Sequence, residues 1–419
     1  MKNILTQLII EYTQQIFFYG IERNLLSKTA KFINNPEIIA LSGVRRSGKS
    51  VLFNQLIRYI DKKNNCLLIN FEDERLKEFR VEHFDLLLEA FYEKNNPQGT
   101  VYLFFDEIQE ISGWEKWVRR IYDKKQDIKF FITGSSSSLM SSEFSTLLTG
   151  RNISFMLYPF NFKEFLNYKK YTINIDKIKA DIKEKSTLKS HLNDYINTGG
   201  FPAVTENYSI ELLQQYFKDI IYRDIIRRYH VRDVKQLEEL YIYLISNISN
   251  LYTYNKIKNS FKMGIDTVKE YINYGISSNL FFDHLFFSYS LKESFNKPRK
   301  SYCIDNGLRN AVSFKFSDDL GRLVENQVNT ELLRRYNNSY YYKNKNEVDF
   351  VVKNEEQQLL GINVCYSNNI PEREFSGLLE LKKEYPERTK DTFIISEDLS
   401  TEINNIKIIP YWEWLLMPS

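Results

Sequence analysis

Residues 43–50 read GVRRSGKS, and residues 38–43 (IIALSG) read as a buried strand running into the first glycine. This match to G-x-x-x-x-G-K-[ST] constrains the chain more than any other feature. Gly43 and Gly48 let the backbone curl, so that the N–H groups along Val44, Arg45, Arg46 and Ser47 point at phosphate oxygens. Lys49 can reach the β- and γ-phosphates, and the Ser50 hydroxyl can ligate Mg2+. The helix that opens here and continues through Val51 adds its positive N-terminal end. The chain is glycine-poor, with 15 glycines in 419 residues, where the usual 7% would give about 29. Two glycines at the required spacing therefore carry weight.

The flanks supply the context that such a loop needs. Residues 49–60 (KSVLFNQLIRYI) carry apolar residues at helical spacing, and short apolar runs follow at 66–71, 101–105, 128–133 and 153–157. Helical segments separate most of these runs, which predicts a parallel α/β sheet with helices on both faces.

A phosphate-binding loop of this kind needs an acidic partner at the end of a neighbouring strand. Residues 101–107 read VYLFFDE. Asp106 is the candidate for the Mg2+ shell, and Glu107 for orienting and activating the attacking water. The next strand ends in Thr133, Gly134 and a serine run, so Thr133 or Ser135 would face the γ-phosphate. No N-K-x-D base-reading motif follows that strand, so adenine is preferred over guanine. ATP with Mg2+ is the expected ligand pair.

Size and charge set looser bounds. A chain of 419 residues exceeds one ordinary core. The formal net charge of +3 neither demands nor excludes a nucleic-acid partner. Cys66, Cys303 and Cys365 are far apart and form no C-x-x-C pair, which argues against a zinc site or disulfide framework and for an intracellular, cytoplasmic setting. No run reaches the roughly 18 apolar residues of a membrane span.

The segments GVRRSGKS, INFEDERL, LFFDEIQEISGWEKWVR, FITGSSSSLMSSE, LLTGR, YPFNFKEFL and NTGGFPAV together resemble a family of prokaryotic AAA-type (AAA+) P-loop ATPases. The C-terminal half of that family is known mainly as a domain of unknown function. The resemblance implies a AAA+ core with strand order 5-1-4-3-2 over residues 1–160 and a helical lid region over 161–235. It further implies a winged-helix segment over 236–312 and a restriction-endonuclease-like α/β domain over 313–419. By position it makes Thr133 or Ser135 a sensor. Arg151, in LLTGR, becomes an arginine-finger candidate acting on a neighbouring subunit's ATP, which would require a homo-oligomer.

Further along, a helix expected at 212–232 carries Arg223, Arg227, Arg228 and Arg232, for contact with nucleotide or nucleic acid or simply as a solvated basic face. Residues 251–282 look like a helix-turn-helix, with a turn at 262–264 and Asp266 as N-cap of the second helix. The last region is similar to the PD-(D/E)XK nucleases. Glu325 lies on a helix, and Glu347 and Asp349 lie in EVDF. Asn363 stands where those enzymes have an acid, and Cys365 where they have a lysine. A neutral amide weakens a hard-cation site, and a thiol does not replace a positive charge beside developing negative charge. The expectation is a nuclease-like fold without cleavage.

The leading functional expectation is ATP hydrolysis driving conformational change on a nucleic-acid or protein partner, with DNA contact through the winged helix or the last domain. The competing one is a nucleotide-gated DNA-binding regulator with little turnover.

Overall fold

The computed structural model describes residues 1–14, 17–124, 127–134, 148–313, 320–336 and 338–418. The chain divides into two compact units, Met1–Tyr158 and Pro159–Ser419.

In the first unit five strands, β1 (Ile38–Ser42), β2 (Cys66–Asn70), β3 (Val101–Asp106), β4 (Ile128–Thr133) and β5 (Asn152–Met156), form one parallel sheet. Their order is β2-β3-β4-β1-β5, which is the order the resemblance implied. The described helices are α1 (Lys2–Gln14), α2 (Asn24–Ala30), α3 (Lys49–Ile60), α4 (Phe84–Asn95) and α5 (Trp114–Asp123).

Side chains alternate across a strand, so each strand feeds two cores. On β3, Val101, Leu103 and Phe105 pack with Leu5 and Leu8 of α1, Phe84 and Phe91 of α4 and Trp117 of α5. Tyr102 and Phe104 face the other way, with Leu52, Phe53 and Leu56 of α3. The parity of β3 therefore turns Asp106 toward the α3 face. On β4, Phe131 belongs to the α3 core and Ile132 to the opposite one, so Thr133 also lies on the α3 side. The register Phe105↔Ile132 sets Asp106 beside Thr133.

The second unit begins with α6 (Phe162–Tyr168), α7 (Ile175–Ala180), α8 (Ile182–Thr198), α9 (Pro202–Glu206) and α10 (Ile210–Asp219). The helix expected at 212–232 is α10, prolonged through π-helical turns at Ile220–Ile226 and a last turn at Arg227–Tyr229. It stops at His230, whose φ of 48° is left-handed, so Arg232 lies beyond it.

Next come α11 (Val234–Ser246), β6 (Leu251–Tyr252), α12 (Tyr254–Phe261), α13 (Ile265–Ser277), β7 (Phe281–His284), α14 (Leu291–Asn296), β8 (Arg299–Cys303) and α15 (Asn306–Val312). The three strands form an antiparallel sheet in the order β6-β8-β7. Gly264 is the N-cap of α13, which places Asp266 inside the first turn and corrects its expected capping role. Val268, Tyr271, Ile272 and Gly275 form the buried stripe, while Lys269 and Asn273 are exposed.

The break at Gly199-Gly200 is held by a buried carboxylate. Asp305 caps α15 by accepting the Leu308 N–H at 3.0 Å, and its second oxygen accepts the Gly200 N–H at 2.6 Å. Gly199 has φ 74°, and a Cβ there would stand 2.1 Å from Asp305 Oδ1, so only glycine fits.

The chain ends in α16 (Leu320–Tyr336), β9 (Tyr340–Lys343), β10 (Glu347–Lys353), β11 (Leu359–Cys365), α17 (Glu372–Glu384), β12 (Thr389–Ser396), β13 (Thr401–Ile403), β14 (Ile406–Pro410) and α18 (Tyr411–Leu416). The six strands make a mixed sheet in the order β13-β14-β12-β11-β10-β9.

Candidate nucleotide site

β1 ends at Ser42, and the next six residues turn back over the strand end before α3 begins at Lys49. Gly43 has φ 153°, and a Cβ there would lie 2.3 Å from the Leu157 carbonyl oxygen and 3.0 Å from Ser47 Oγ. Arg46 has φ 71°, a left-handed value unusual away from glycine. Gly48, with φ 98°, opens α3. The loop is thus a tight curl whose amides stand at a helix N-terminus. Val44 and Ser47 are buried, and among the described residues the Ser47 hydroxyl has no hydrogen-bond partner.

Five residues named from the sequence meet at the strand ends. The Ser50 hydroxyl donates to Asp106 Oδ2 at 2.6 Å. The Thr133 hydroxyl donates to Asp106 Oδ1 and accepts the Glu107 N–H at 3.0 Å. Lys49 Nζ lies 3.2 Å from the Gly43 carbonyl oxygen and 3.8 Å from Glu107 Oε1. Burial, with Glu107 adjacent, holds the Asp106 carboxyl above its ordinary range. Burial pushes Glu107 the same way, but Lys49, the Gln109 amide and Arg45 outweigh it and leave Glu107 below the ordinary range. The Gln109 amide donates to Glu107 Oε2 at 2.7 Å.

Oxygen donors from Ser50 and Asp106 suit a hard cation such as Mg2+. The loop amides, the Ser47 hydroxyl and Lys49 suit phosphate oxygens. The residues present fit both groups.

Sequence reasoning missed Arg23. This buried guanidinium donates to the Ser47 carbonyl oxygen at 2.7 Å and to the Tyr158 carbonyl oxygen at 2.6 Å, while its backbone N–H donates to Gln55 Oε1 at 3.1 Å. One arginine therefore ties the loop, α3 and the segment after β5 together. Nothing in the sequence sets it apart from Lys28 and Lys31, the other cations just ahead of β1.

The other candidates lie at the edge of this group or away from it. Arg45 pairs with Glu72 at 3.1 Å, and Val51 is half-buried on the first turn of α3. Ser135 lies outside the described residues. Arg151 precedes β5, where its carbonyl oxygen accepts the Ile38 N–H at 2.7 Å. That is the start of β1, whereas the loop follows its end, about 17 Å away at the usual strand rise. The Arg151 guanidinium pairs with Asp123 at 2.9 Å. Arg151 is not part of the Lys49–Asp106 group of its own chain.

In the second unit Glu325, Glu347 and Asp349 do come together, around a lysine that the sequence reading did not single out. Lys300 of β8 puts its Nζ 3.1 Å from Glu325, 2.7 Å from Glu347 and 3.1 Å from Asp349. Asn363 turns elsewhere. Its Oδ1 accepts the Asp349 N–H at 3.0 Å and its Nδ2 donates to the Glu374 carbonyl oxygen at 2.9 Å. Cys365 is half-buried. Among the described residues no group of three or more His, Cys, Asp or Glu is arranged to hold a metal ion.

A parallel sheet in this order, with a glycine-cradled loop on the inner strand and an acidic pair two strands away, defines an AAA-type P-loop ATPase with C-terminal domains of unknown function. The family description "AAA domain" matches residues 35–166, "Domain of unknown function (DUF8612)" matches 189–319, and "Domain of unknown function (DUF4143)" matches 320–414. The chain is similar to "Uncharacterized protein MJ1544" of Methanocaldococcus jannaschii, 36% identical over 459 aligned residues, covering 99% of this chain and 100% of that protein. It is also similar to an "Uncharacterized protein" of Haemophilus influenzae, 31% identical over 412 residues, covering 94% and 98%. The chain belongs to the family of these proteins.

Solved structures with matching segments include the Aeropyrum pernix ORC1 protein in complex with DNA, at 11% identity, 74% of this chain and 95% of that one, with a TM-score of 0.29. AMPPCP-bound DnaA from Aquifex aeolicus matches at 15% identity, 63% and 90%, with a TM-score of 0.26.

Proposed function

We propose that the chain binds ATP with Mg2+ at the loop of residues 43–50 and hydrolyses it, using the cycle to drive conformational change on a nucleic-acid or protein partner. The observation that carries this reading is the hydrogen-bonded chain Ser50–Asp106–Thr133–Glu107 beside Lys49. In it Ser50 and Asp106 would hold the metal, the loop amides and Lys49 would hold phosphate, and Glu107 would handle the water. Bound Mg2+ would supply positive charge to the phosphate oxygens. Glu107, kept below the usual carboxylate range, is ionised near neutral pH and accepts a hydrogen bond from water. As water oxygen bonds to the γ-phosphorus and the bond to ADP breaks, the water proton passes to Glu107. Thr133 is a positioning residue, because it holds both acids of the pair.

Arg151 remains a candidate to act in trans. Its place at the far end of β5 from its own loop supports a role on a neighbouring copy, if one forms. The order β6-β8-β7 behind α11, α12 and α13 supports reading residues 236–312 as a winged helix. Its second helix exposes Asp266, Lys269, Glu270 and Asn273, so acids stand beside the cation and phosphate attraction by this face is weak. A protein partner therefore fits this helix better than a DNA groove.

The test is steady-state phosphate release from ATP, with and without double- and single-stranded DNA, for the wild type, Lys49→Ala and Glu107→Gln. Turnover lost in both variants supports the ATPase. Retained ATP binding with no turnover in the wild type under every condition overturns it in favour of a nucleotide-gated regulator.

A further inference from the structure

Lys300 is 2% exposed, yet it is a cation whose nearest side-chain groups are three carboxylates from two other elements, α16 and β10. The other bonds around it are arranged to keep those carboxylates in place. The Tyr302 hydroxyl donates to Glu325 at 2.7 Å, and the Val364 N–H donates to Asp349 Oδ2 at 2.9 Å. Asn363, whose side-chain oxygen is a neutral donor, spends its amide on the β10 backbone and α17.

His284 adds an independent observation. It stands directly opposite Lys300 in the antiparallel β7–β8 register, so both side chains leave the same face of that sheet. It is 3% exposed, and among the described residues neither ring nitrogen has a hydrogen-bond partner. A buried imidazole with both nitrogens free is costly and is a good ligand for a divalent transition metal.

We propose that Lys300 is the resident cation of this carboxylate site: its ammonium stands where a divalent cation would otherwise be held, and it ties the three-stranded sheet to the C-terminal sheet. Three half-buried carboxylates that converge on one buried point need positive charge there. A lysine delivered from β8 supplies it within the chain, at the point the three carboxylates share. Removing the ammonium while keeping the side-chain volume leaves the oxygens of Glu325, Glu347 and Asp349 around the vacated point, with His284 on the neighbouring strand, and these groups must then close in on an ion. That set suits Mn2+. This inference is independent of the ATPase reading, because no residue of the loop at 43–50 enters it.

The experiment measures Mn2+ binding to nucleotide-free full-length protein by the electron paramagnetic resonance signal of free Mn2+. It compares the wild type, Asp349→Asn, Lys300→Met, and Lys300→Met with Asp349→Asn. The expected result is no Asp349-dependent Mn2+ in the wild type. Lys300→Met gains one equivalent that the wild type does not bind, and the double variant loses it. Asp349-dependent Mn2+ binding by the wild type overturns the proposal, as does a folded Lys300→Met that binds none. Mn2+-dependent DNA cutting by the wild type that Lys300→Met abolishes also overturns it, since Lys300 would then be serving chemistry. If Lys300→Met is unfolded alone, recovery of its circular dichroism on adding Mn2+ supports the proposal, and failure to recover counts against it.

Discussion

Thr133 donates its hydroxyl to one oxygen of Asp106, while Ser50 donates to the other at 2.6 Å, so the Asp106 carboxylate is gripped from both sides. The same Thr133 oxygen accepts the Glu107 N–H, which fixes the residue that faces water. Thr133→Val keeps the shape and removes both bonds. We expect ATP turnover to fall about 10²-fold, the scale of losing one preorganised polar group, with ATP affinity changed far less. Phosphate release read beside fluorescent-nucleotide binding checks the split. An equal loss in both would make Thr133 a structural residue only.

Gly43 is the residue on which the loop turns. Alanine there would bring a Cβ to 2.3 Å from a backbone carbonyl oxygen, which has no flexible end to move aside. Gly43→Ala should cost roughly 2–4 kcal/mol of stability, with loss of nucleotide binding. Urea unfolding of the variant measures the first and nucleotide titration the second.

Arg23 tests whether the loop is held from behind. Lysine keeps the charge but not the planar fork that reaches two carbonyl oxygens. Arg23→Lys should cost roughly 2–3 kcal/mol, because buried carbonyl groups lose a charged donor, and should weaken ATP binding although Arg23 touches no expected ligand atom. Unchanged ATP affinity in a folded variant would remove Arg23 from the positioning residues.

The sheet of the first unit was legible because its strands are short apolar runs set off by turns. β4 begins and ends where the sequence placed it, and β1, β2, β3 and β5 differ by a residue or so at an end. The parity that turns Asp106 and Thr133 to the same face is also local, so the acidic group could be anticipated. What stayed hidden depends on distant segments meeting. Lys300 is 25 residues from Glu325 and 49 from Asp349, and nothing local marks a lysine on β8 as interior. Arg23 is equally anonymous until Ser47 and Tyr158 surround it. The π-helical turns at Ile220–Ile226 shift the bonding to i→i+5 over only 7 residues, too few for the apolar spacing to reveal the change. Asp266 was misplaced by two positions because Asp is a common cap, whereas Gly264 took that role.

Asp305 gives the second unit a pH dependence whose sign can be worked out. Burial raises its carboxyl to about 6, despite the N–H groups of Gly200, Leu308 and Gly307 that favour the charged form. An unfolded Asp titrates at about 3.9. Between these values the folded chain holds a proton that the unfolded chain has released, so stability falls as pH rises through that window. The penalty is complete above about pH 6 and absent below about pH 4. It amounts to roughly 2–3 kcal/mol for a shift of about two units. Other carboxylates titrate in the same range, so the informative quantity is a difference between two proteins. Asp305→Asn cannot ionise; it keeps one acceptor oxygen and gives up the other, which costs stability at every pH. Urea midpoints at pH 4, 5, 6 and 7 should show the gap between wild type and variant widest at pH 4 and narrowing toward pH 7. A gap that stays constant over that range would mean that the Asp305 carboxyl titrates alike in the folded and unfolded chains.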